Sequence, residues 1–409
     1  MSEVARNRRR GIGRRFGIAL VALSLVGAAC SSDDNNSLDT TAADTTDDTS
    51  GEEVDIVAEA KRITELAKAG LVHAALDSGT ESTDIVAQTD WLGPTEPVSA
   101  LEAGKNVQVI MCSAGTACEV AANYVVEAAE AVGWNAEIID GQFNPEVWLT
   151  AFDTAISKNP DAIIGIAIPD VAVDAKLQAA REAGIVTVSI ADTPQGNTTN
   201  PYDAYVSYRM PLMHQILAYA TIAETDGAAN VVLINDSAFP NLVESNAQFT
   251  RVIEQCTGCS VTQVDWTTGD ALDPVKADAV VTAALAANPD ANYVVLPYSI
   301  GMPSAIEAVR KAGKADAVKV ISKDGDAVGL GLVASGDSPF NAGVGLDWVA
   351  YAGIDQVARG LAGDAYIDGE ATGLGIHLWS TEDTAADGSS DYSQWIDFKS
   401  EYKTLWGLS

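Results

Sequence analysis

Apolar and polar residues along this chain change period in a regular order. Ile56, Ala60, Ile63, Ala67 and Leu71 recur at helical spacing, which predicts an amphipathic helix over 56–71. An extended linker follows, because Trp91-Leu92-Gly93-Pro94-Thr95-Glu96-Pro97 breaks any helix. From Val107 short apolar runs alternate with helical patterns: strands over 107–111, 136–139, 162–168 and 186–190, with helices over 119–132, 145–157 and 171–183 between them. The alternation then restarts, with helices over 212–225, 242–254, 275–287 and 303–312 and strands over 230–234, 261–264, 293–296 and 318–321. Strand runs that are apolar throughout are expected to be covered on both faces, hence parallel and doubly wound. About 300 residues exceed one ordinary core and suit two α/β lobes of roughly 130 to 150 residues. The cleft where the carboxyl ends of both sets of strands meet is then the expected binding site.

The amino-terminal pattern is different. Arg6, Arg8, Arg9, Arg10, Arg14 and Arg15 precede an uncharged apolar run from Phe16 to Ala29, the layout of a signal peptide over residues 1–29. That run is shorter than the roughly twenty residues a membrane-crossing helix needs. It ends in Val26-Gly27-Ala28-Ala29-Cys30, which resembles the lipobox of bacterial lipoproteins apart from Gly27 where leucine is usual. The resemblance implies lipidation of Cys30 and a membrane tether, with a plainly secreted protein as the other reading. Arg14-Arg15-Phe16 hints at twin-arginine export without the rest of that motif. Residues 31–53 are dominated by Ser, Thr, Asp and Asn and are expected to form a flexible, self-repelling tether.

The formal charge of −33 becomes −38 once residues 1–29, with six arginines and one glutamate, are removed. Nucleic acid is excluded as a partner, since no Lys/Arg-rich face remains to hold phosphates, and the spread acidity suits a solvated extracellular surface. Beyond Cys30 four cysteines remain, Cys112, Cys118, Cys256 and Cys259, an even number for an oxidising compartment. Two disulfides are expected; local pairing of 112 with 118 and 256 with 259 is the simplest of three connectivities. The Cys-x-x-Cys at 256–259 lies between a helix-like stretch and a strand, which suits a turn staple better than zinc or redox chemistry.

Several stretches together carry a family resemblance: Lys158-Asn159-Pro160-Asp161-Ala162-Ile163-Ile164-Gly165, Ala183-Gly184-Ile185-Val186-Thr187-Val188-Ser189-Ile190-Ala191-Asp192, Ile321-Ser322-Lys323-Asp324-Gly325, and Tyr351-Ala352-Gly353-Ile354-Asp355 with Ala358-Arg359-Gly360-Leu361-Ala362-Gly363. Over about residues 100–380 the chain resembles the type I periplasmic sugar-binding proteins, the ribose-binding-like group that serves ABC importers. The resemblance implies two doubly wound parallel-sheet lobes joined by a three-strand hinge, crossed near Tyr205, Asp347 and Gly363. The expected organisation is a signal peptide (1–29), a tether (30–53), an N-terminal helix and linker (54–104), a first lobe (105–204 plus 347–362), a second lobe (205–346 plus 363–380) and a C-terminal extension (381–409). Within the extension a segment from Trp395 to Trp406 has a helical pattern.

The resemblance also implies that Asp192 and Asp324 hydrogen-bond sugar hydroxyls, a carboxylate accepting two hydroxyl hydrogens at once. Departures from the ribose-binding pattern are Thr193 where arginine is common, Ser113 to Thr116 in place of an aromatic-bearing loop, and Tyr298 and Leu346 where amides occur. Ser113, Thr116 and Thr193 are therefore expected at the ligand. Trp266, Tyr298, Phe143 and Trp348 are candidates for stacking on a sugar face, each with core packing as its alternative. Arg209 could pair with an anionic ligand group or form a surface salt bridge. Replacing Asp324 by Ala is expected to weaken binding roughly tenfold or more with little effect on melting of the ligand-free protein.

Enzyme readings find little support. His73, His214 and His377 are scattered without metal spacing, no Gly-x-Ser-x-Gly elbow exists, and no metal or cofactor is expected. Gly329-Leu330-Gly331 with Gly336 departs from a dinucleotide fingerprint and suggests a helix end and turn. The expected function is therefore that of an extracytoplasmic, membrane-anchored, monomeric solute-binding lipoprotein that delivers a sugar or polyol to the membrane subunits of an ABC importer. The alternative is a ligand-sensing receptor module of the same fold with a membrane signalling partner.

Overall fold

The alternation seen in the sequence becomes two sheets with helices between their strands. A computed structural model describes residues 55–74, 84–194 and 196–408. The expected signal peptide, Cys30 and the tether lie outside the described residues. In chain order the elements are α1 (Ile56–Ala69), β1 (Leu71–Ala74), β2 (Ile85–Gln88), β3 (Asn106–Met111), α2 (Ala117–Ala131), β4 (Asn135–Asp140), α3 (Pro145–Ser157), β5 (Ala162–Ile166), α4 (Asp170–Glu182), β6 (Val186–Ile190) and β7 (Ala204–Val206). They continue with α5 (Met210–Glu224), β8 (Asn230–Asn235), α6 (Pro240–Ile253), β9 (Ser260–Asp265), α7 (Thr268–Leu272), α8 (Pro274–Ala287), β10 (Tyr293–Val295), α9 (Met302–Lys311), β11 (Lys319–Asp324), α10 (Ala327–Ala334), β12 (Phe340–Val344), α11 (Leu346–Ala362), β13 (Ile376–Ser380) and α12 (Phe398–Leu405).

The first lobe holds a parallel five-stranded sheet in the order β4-β3-β5-β6-β7. Over it α2 packs with α11, and α3 with α4. β5 is buried at every position, as its unbroken apolar run requires, whereas β4 and β9 are largely open because they are sheet edges. Local chemistry starts the helices: Asn144 caps α3 by accepting from the Glu146 amide, with Pro145 at the first turn, and Asp55 caps α1.

The second lobe holds an eight-stranded sheet in the order β2-β1-β13-β12-β11-β10-β8-β9. Five neighbouring strands, β12 to β9 along that order, are parallel. The expected parallel sheet is extended at the other end, where β13, β1 and β2 run antiparallel to their neighbours. The stretch read as pure linker after α1 therefore contains two strands. They were hidden because four-residue strands carry almost no periodicity. α1 lies on α5, and α5 is buried nearly all round between α1, α6 and the sheet. Gly329 and Gly331 lie inside α10 rather than at a helix end, and only Gly336 forms the turn, with φ +79°.

Three connections join the lobes. After β7 the chain passes through 207–209 into α5; after β12 it enters α11, which packs on α2 and β6; and it returns to β13. The return lies beyond Gly369 rather than near Gly363. The Gln356 side chain holds Ile367 to α11 (Nε2 to O 2.6 Å), and the Ser207 amide donates to Gly369 O (3.1 Å), so residues 364–369 stay beside the first lobe. The C-terminal segment then spans both lobes. Tyr392 Oη accepts from Trp379 Nε1 (2.9 Å), while Lys399 pairs with Glu127 (2.9 Å) and Asp347 (3.4 Å), and Trp406 Nε1 donates to Asp355 (3.0 Å). Both disulfides are local, Cys112–Cys118 and Cys256–Cys259, with Cα separations of 5.8 and 5.3 Å. Among the described residues no helix is long and apolar enough to cross a membrane.

Candidate ligand-binding cleft

The loops leaving the carboxyl ends of β3, β4, β5, β6, β8, β10 and β11 converge on one cavity of about 70 Å³ between the lobes. Chain reversal at the end of a buried strand puts side chains at the sheet edge, where two facing lobes enclose them. From the first lobe come the Cys112–Cys118 disulfide, Thr116, Ala117, Phe143, Ala167 and Ala191. From the hinge and second lobe come Tyr208, Met210, Phe239, Asn241, Tyr298 and the carboxyl end of β11 with Lys323, Asp324 and Asp326.

The backbone is strained where it meets this cavity. Phe143 (φ 47°), Ala167 (φ 50°), Ala191 (φ 73°) and Asp324 (φ 93°) all take left-handed values and all line it. Such residues each cost on the order of 1–3 kcal/mol and gather at functional sites. Phe143 is held there by its amide, which donates to Cys112 O (2.8 Å).

The two lobes touch across the cleft. Asn241 Nδ2, on α6, donates to Ala191 O of the first lobe (2.8 Å). Phe143 lies 6.3 Å from Phe239 and 6.4 Å from Tyr298, ring centroid to centroid. The arrangement is closed.

Polar groups concentrate on the second-lobe side. Lys323, 2 % exposed, donates to Asp324 Oδ1, and Asp326 caps α10 by accepting from the Gly329 amide (2.9 Å). Burial, reinforced by the neighbouring Asp324 charge, pushes the Asp326 carboxyl up to about 6. Tyr208 Oη and Asn241 Oδ1 are buried without a hydrogen-bond partner among the described residues. Below them His214 is fully buried, its Nδ1 against Met210 O (3.1 Å) and its pKa lowered to about 3 by burial and by the Lys323 charge, so it is neutral.

Of the residues expected at the ligand, Thr116, Phe143, Tyr298 and Asp324 come together on this cavity. The others do not line it. Ser113 turns its hydroxyl to Ala114 O (3.3 Å). Asp192 is buried one residue behind Ala191, accepting from the Thr193 amide (3.0 Å), and Thr193 sits on that same loop. Trp266 stacks behind Tyr298 (5.8 Å) in the apolar core with α8 and α9 side chains. Trp348 is fully buried between Trp91 (5.8 Å) and Phe398 (4.8 Å), drawn there by the C-terminal segment. Arg209 makes a salt bridge, Nε 3.4 Å from the Glu370 carboxylate, with Nη2 donating to Ala74 O (3.1 Å), but it is buried and not at the surface as expected. Burial lowers its pKa and Glu370 opposes that.

Sequence reasoning missed Tyr208, Phe239, Asn241, Lys323 and Asp326. A lysine beside an aspartate at the end of an apolar run was the one local signal available, because a buried cation needs a partner. Among the described residues no cluster of His, Cys, Asp and Glu could hold a metal ion.

No curated protein sequence is significantly similar to this chain. Solved structures are similar in fold. An ABC sugar transporter subunit from Rhodobacter sphaeroides 2.4.1 matches with TM-score 0.58 at 19% identity, over 69% of this chain and 99% of that one. A solute-binding protein of an ABC transporter from Agrobacterium vitis, bound with alpha-D-tagatopyranose, matches with TM-score 0.61 at 20% identity, over 71% and 99%. A third, from Burkholderia graminis in complex with D-arabinose, matches with TM-score 0.61 at 16% identity, over 70% and 98%. A family model described as a periplasmic binding protein domain matches residues 107–365, the stretch that builds the parallel strands and the cleft, and the chain belongs to that family of extracytoplasmic binding proteins.

Proposed function

We propose that this chain is the extracytoplasmic solute-binding lipoprotein of an ABC importer and that it takes a sugar or polyol into the cleft, closing about the three connections at its hinge. The observation that carries the reading is the cavity enclosed by the carboxyl ends of both sheets, with Asn241 bonded across it to Ala191. Tagatopyranose, allitol and D-arabinose in similar structures support a carbohydrate-sized cargo. Within the cleft Asp324 accepts from ligand hydroxyls, Phe143 and Tyr298 give aromatic faces, and Thr116 closes the first-lobe side. Cys30 carries the lipid, and the Ser/Thr/Asp-rich residues after it tether the folded part to the membrane. Hinge closure is on the microsecond-to-millisecond scale, with the ligand's preference for the closed state supplying the bias.

The test is a thermal-shift screen of residues 54–409, which lie within one compact unit, against mono- and disaccharides, polyols, nucleosides and amino acids. A ligand that binds only the folded state raises its melting temperature. A shift with a sugar or polyol is expected; a shift confined to amino acids or nucleosides refutes the carbohydrate reading.

A further inference from the structure

Resting on the reading that the cleft binds a carbohydrate-like solute, the balance of its lining narrows the ligand class. A buried hydroxyl with no partner costs roughly tenfold in affinity, so a fully hydroxylated monosaccharide needs a hydrogen-bonding group facing nearly every oxygen. Much of this cavity has none to offer. Its walls are Phe143, Phe239, Leu242, Ile300, Ala117 and the Cys112–Cys118 disulfide.

Several of the polar side chains that do line it are already occupied. Thr116 Oγ1 donates to Ser113 O (2.7 Å) and accepts from the Cys118 amide (3.2 Å). Ser299 Oγ donates to Lys323 O (2.7 Å), and Asp326 is engaged in capping α10. What remains is a small set of polar groups on the lining. Tyr208 Oη and Asn241 Oδ1, at 4 % and 7 % residue exposure, are buried there without partners among the described residues. Close to Tyr208, Lys323 and Asp324 form a buried ion pair, with donors left on the ammonium and an oxygen left on the carboxylate. A donor next to an acceptor matches a hydroxyl, which both gives and receives. Two such sets on one lining match more than one hydroxyl.

We propose that the cleft selects a cyclic ligand of mixed character, an apolar or extensively deoxygenated ring with two or three adjacent hydroxyls on one edge, in preference to a fully hydroxylated sugar. The hydroxyl edge lies on Tyr208, Asn241, Lys323 and Asp324, and the bare part of the ring lies against Phe143 and Phe239.

Calorimetric titration of the protein with cis-cyclohexane-1,2-diol, pyrogallol and a 2,6-dideoxyhexose, alongside D-galactose, D-arabinose and allitol, decides this. At least one member of the first set is expected to bind tenfold or more tightly than every member of the second. Tyr208→Phe and Asn241→Ala are each expected to weaken that binding about tenfold, with far-ultraviolet circular dichroism unchanged. Galactose, arabinose or allitol binding as tightly as the best cyclic di- or triol overturns the class assignment and leaves the carbohydrate-import reading standing. Equal affinity in both variants also overturns it. Binding by neither set, with a shift from amino acids or nucleosides in the thermal screen, overturns the carbohydrate reading on which the assignment rests.

Discussion

Asp192 is expected to make this protein less stable as pH rises through the weakly acidic range, and Asp192→Asn removes that dependence. The side chain is 2 % exposed; one carboxylate oxygen accepts from the Thr193 amide (3.0 Å), and Oδ2 has no partner among the described residues. Burial raises its pKa from 3.8 to about 7; the Thr193 amide opposes this and the Asp170 charge adds to it. Between those values the unfolded chain has released the proton and the folded chain still holds it, so folding costs progressively more as pH rises, and the cost levels off above about 7. From pH 5 to pH 8 about two units of that gap are traversed, and at 1.36 kcal/mol per unit the loss is about 2–3 kcal/mol. For a folded part of about 350 residues this is a fall of roughly 4 °C in Tm. The asparagine cannot ionise, while Asp326, with a pKa of about 6, titrates alike in both proteins, so the difference between them isolates Asp192. Urea unfolding of both at pH 5 and pH 8 measures it. Parallel pH dependences, or a variant less stable than the parent at pH 8, refute the reasoning.

Asp324→Ala is expected to weaken ligand binding tenfold or more, and, against the expectation from sequence, to destabilise the ligand-free protein by about 3–5 kcal/mol, because it strands the buried Lys323 charge; urea unfolding of this variant and of Lys323→Met/Asp324→Ala, which recovers most of the loss, checks this. Trp348→Ala is expected to cost about 3–5 kcal/mol by emptying the space between Trp91 and Phe398, with ligand affinity unchanged, as read by denaturation and titration. The Cys112→Ser/Cys118→Ser variant is expected to lose about 2 kcal/mol, the loop-closure value for a bridge spanning six positions, in urea unfolding without reductant.

Much of the architecture was legible because parallel strands buried on both faces must be continuously apolar, and helices packed on one side must repeat near 3.6 residues. Those two demands are local, so 145–157 and 186–190 are helix and strand with the expected ends. The disulfides were legible for the same reason, since partners three and six positions apart meet with little help from the rest of the fold. Of the residues that line the cavity, Asp324 and Thr116 were expected through the family resemblance and Phe143 and Tyr298 from their places near predicted strand ends, and all four lie at or just beyond the carboxyl ends of strands. Trp348 and Arg209 could not be placed. Their surroundings are supplied by Trp91 and Phe398, and by Ala74 and Glu370, all remote in sequence.

By itself, then, the sequence determined the alternating α/β elements, which depend on short-range periodicity, and, through their number and the length they span, the two lobes. The tertiary structure alone decided the antiparallel addition of β13, β1 and β2, the C-terminal segment lying across both lobes, and the placing of unpartnered polar groups in an otherwise apolar cleft. Strand order, side-chain pairing and enclosure are set by contacts between distant parts of the chain, and no local pattern carries the free energies that choose among them.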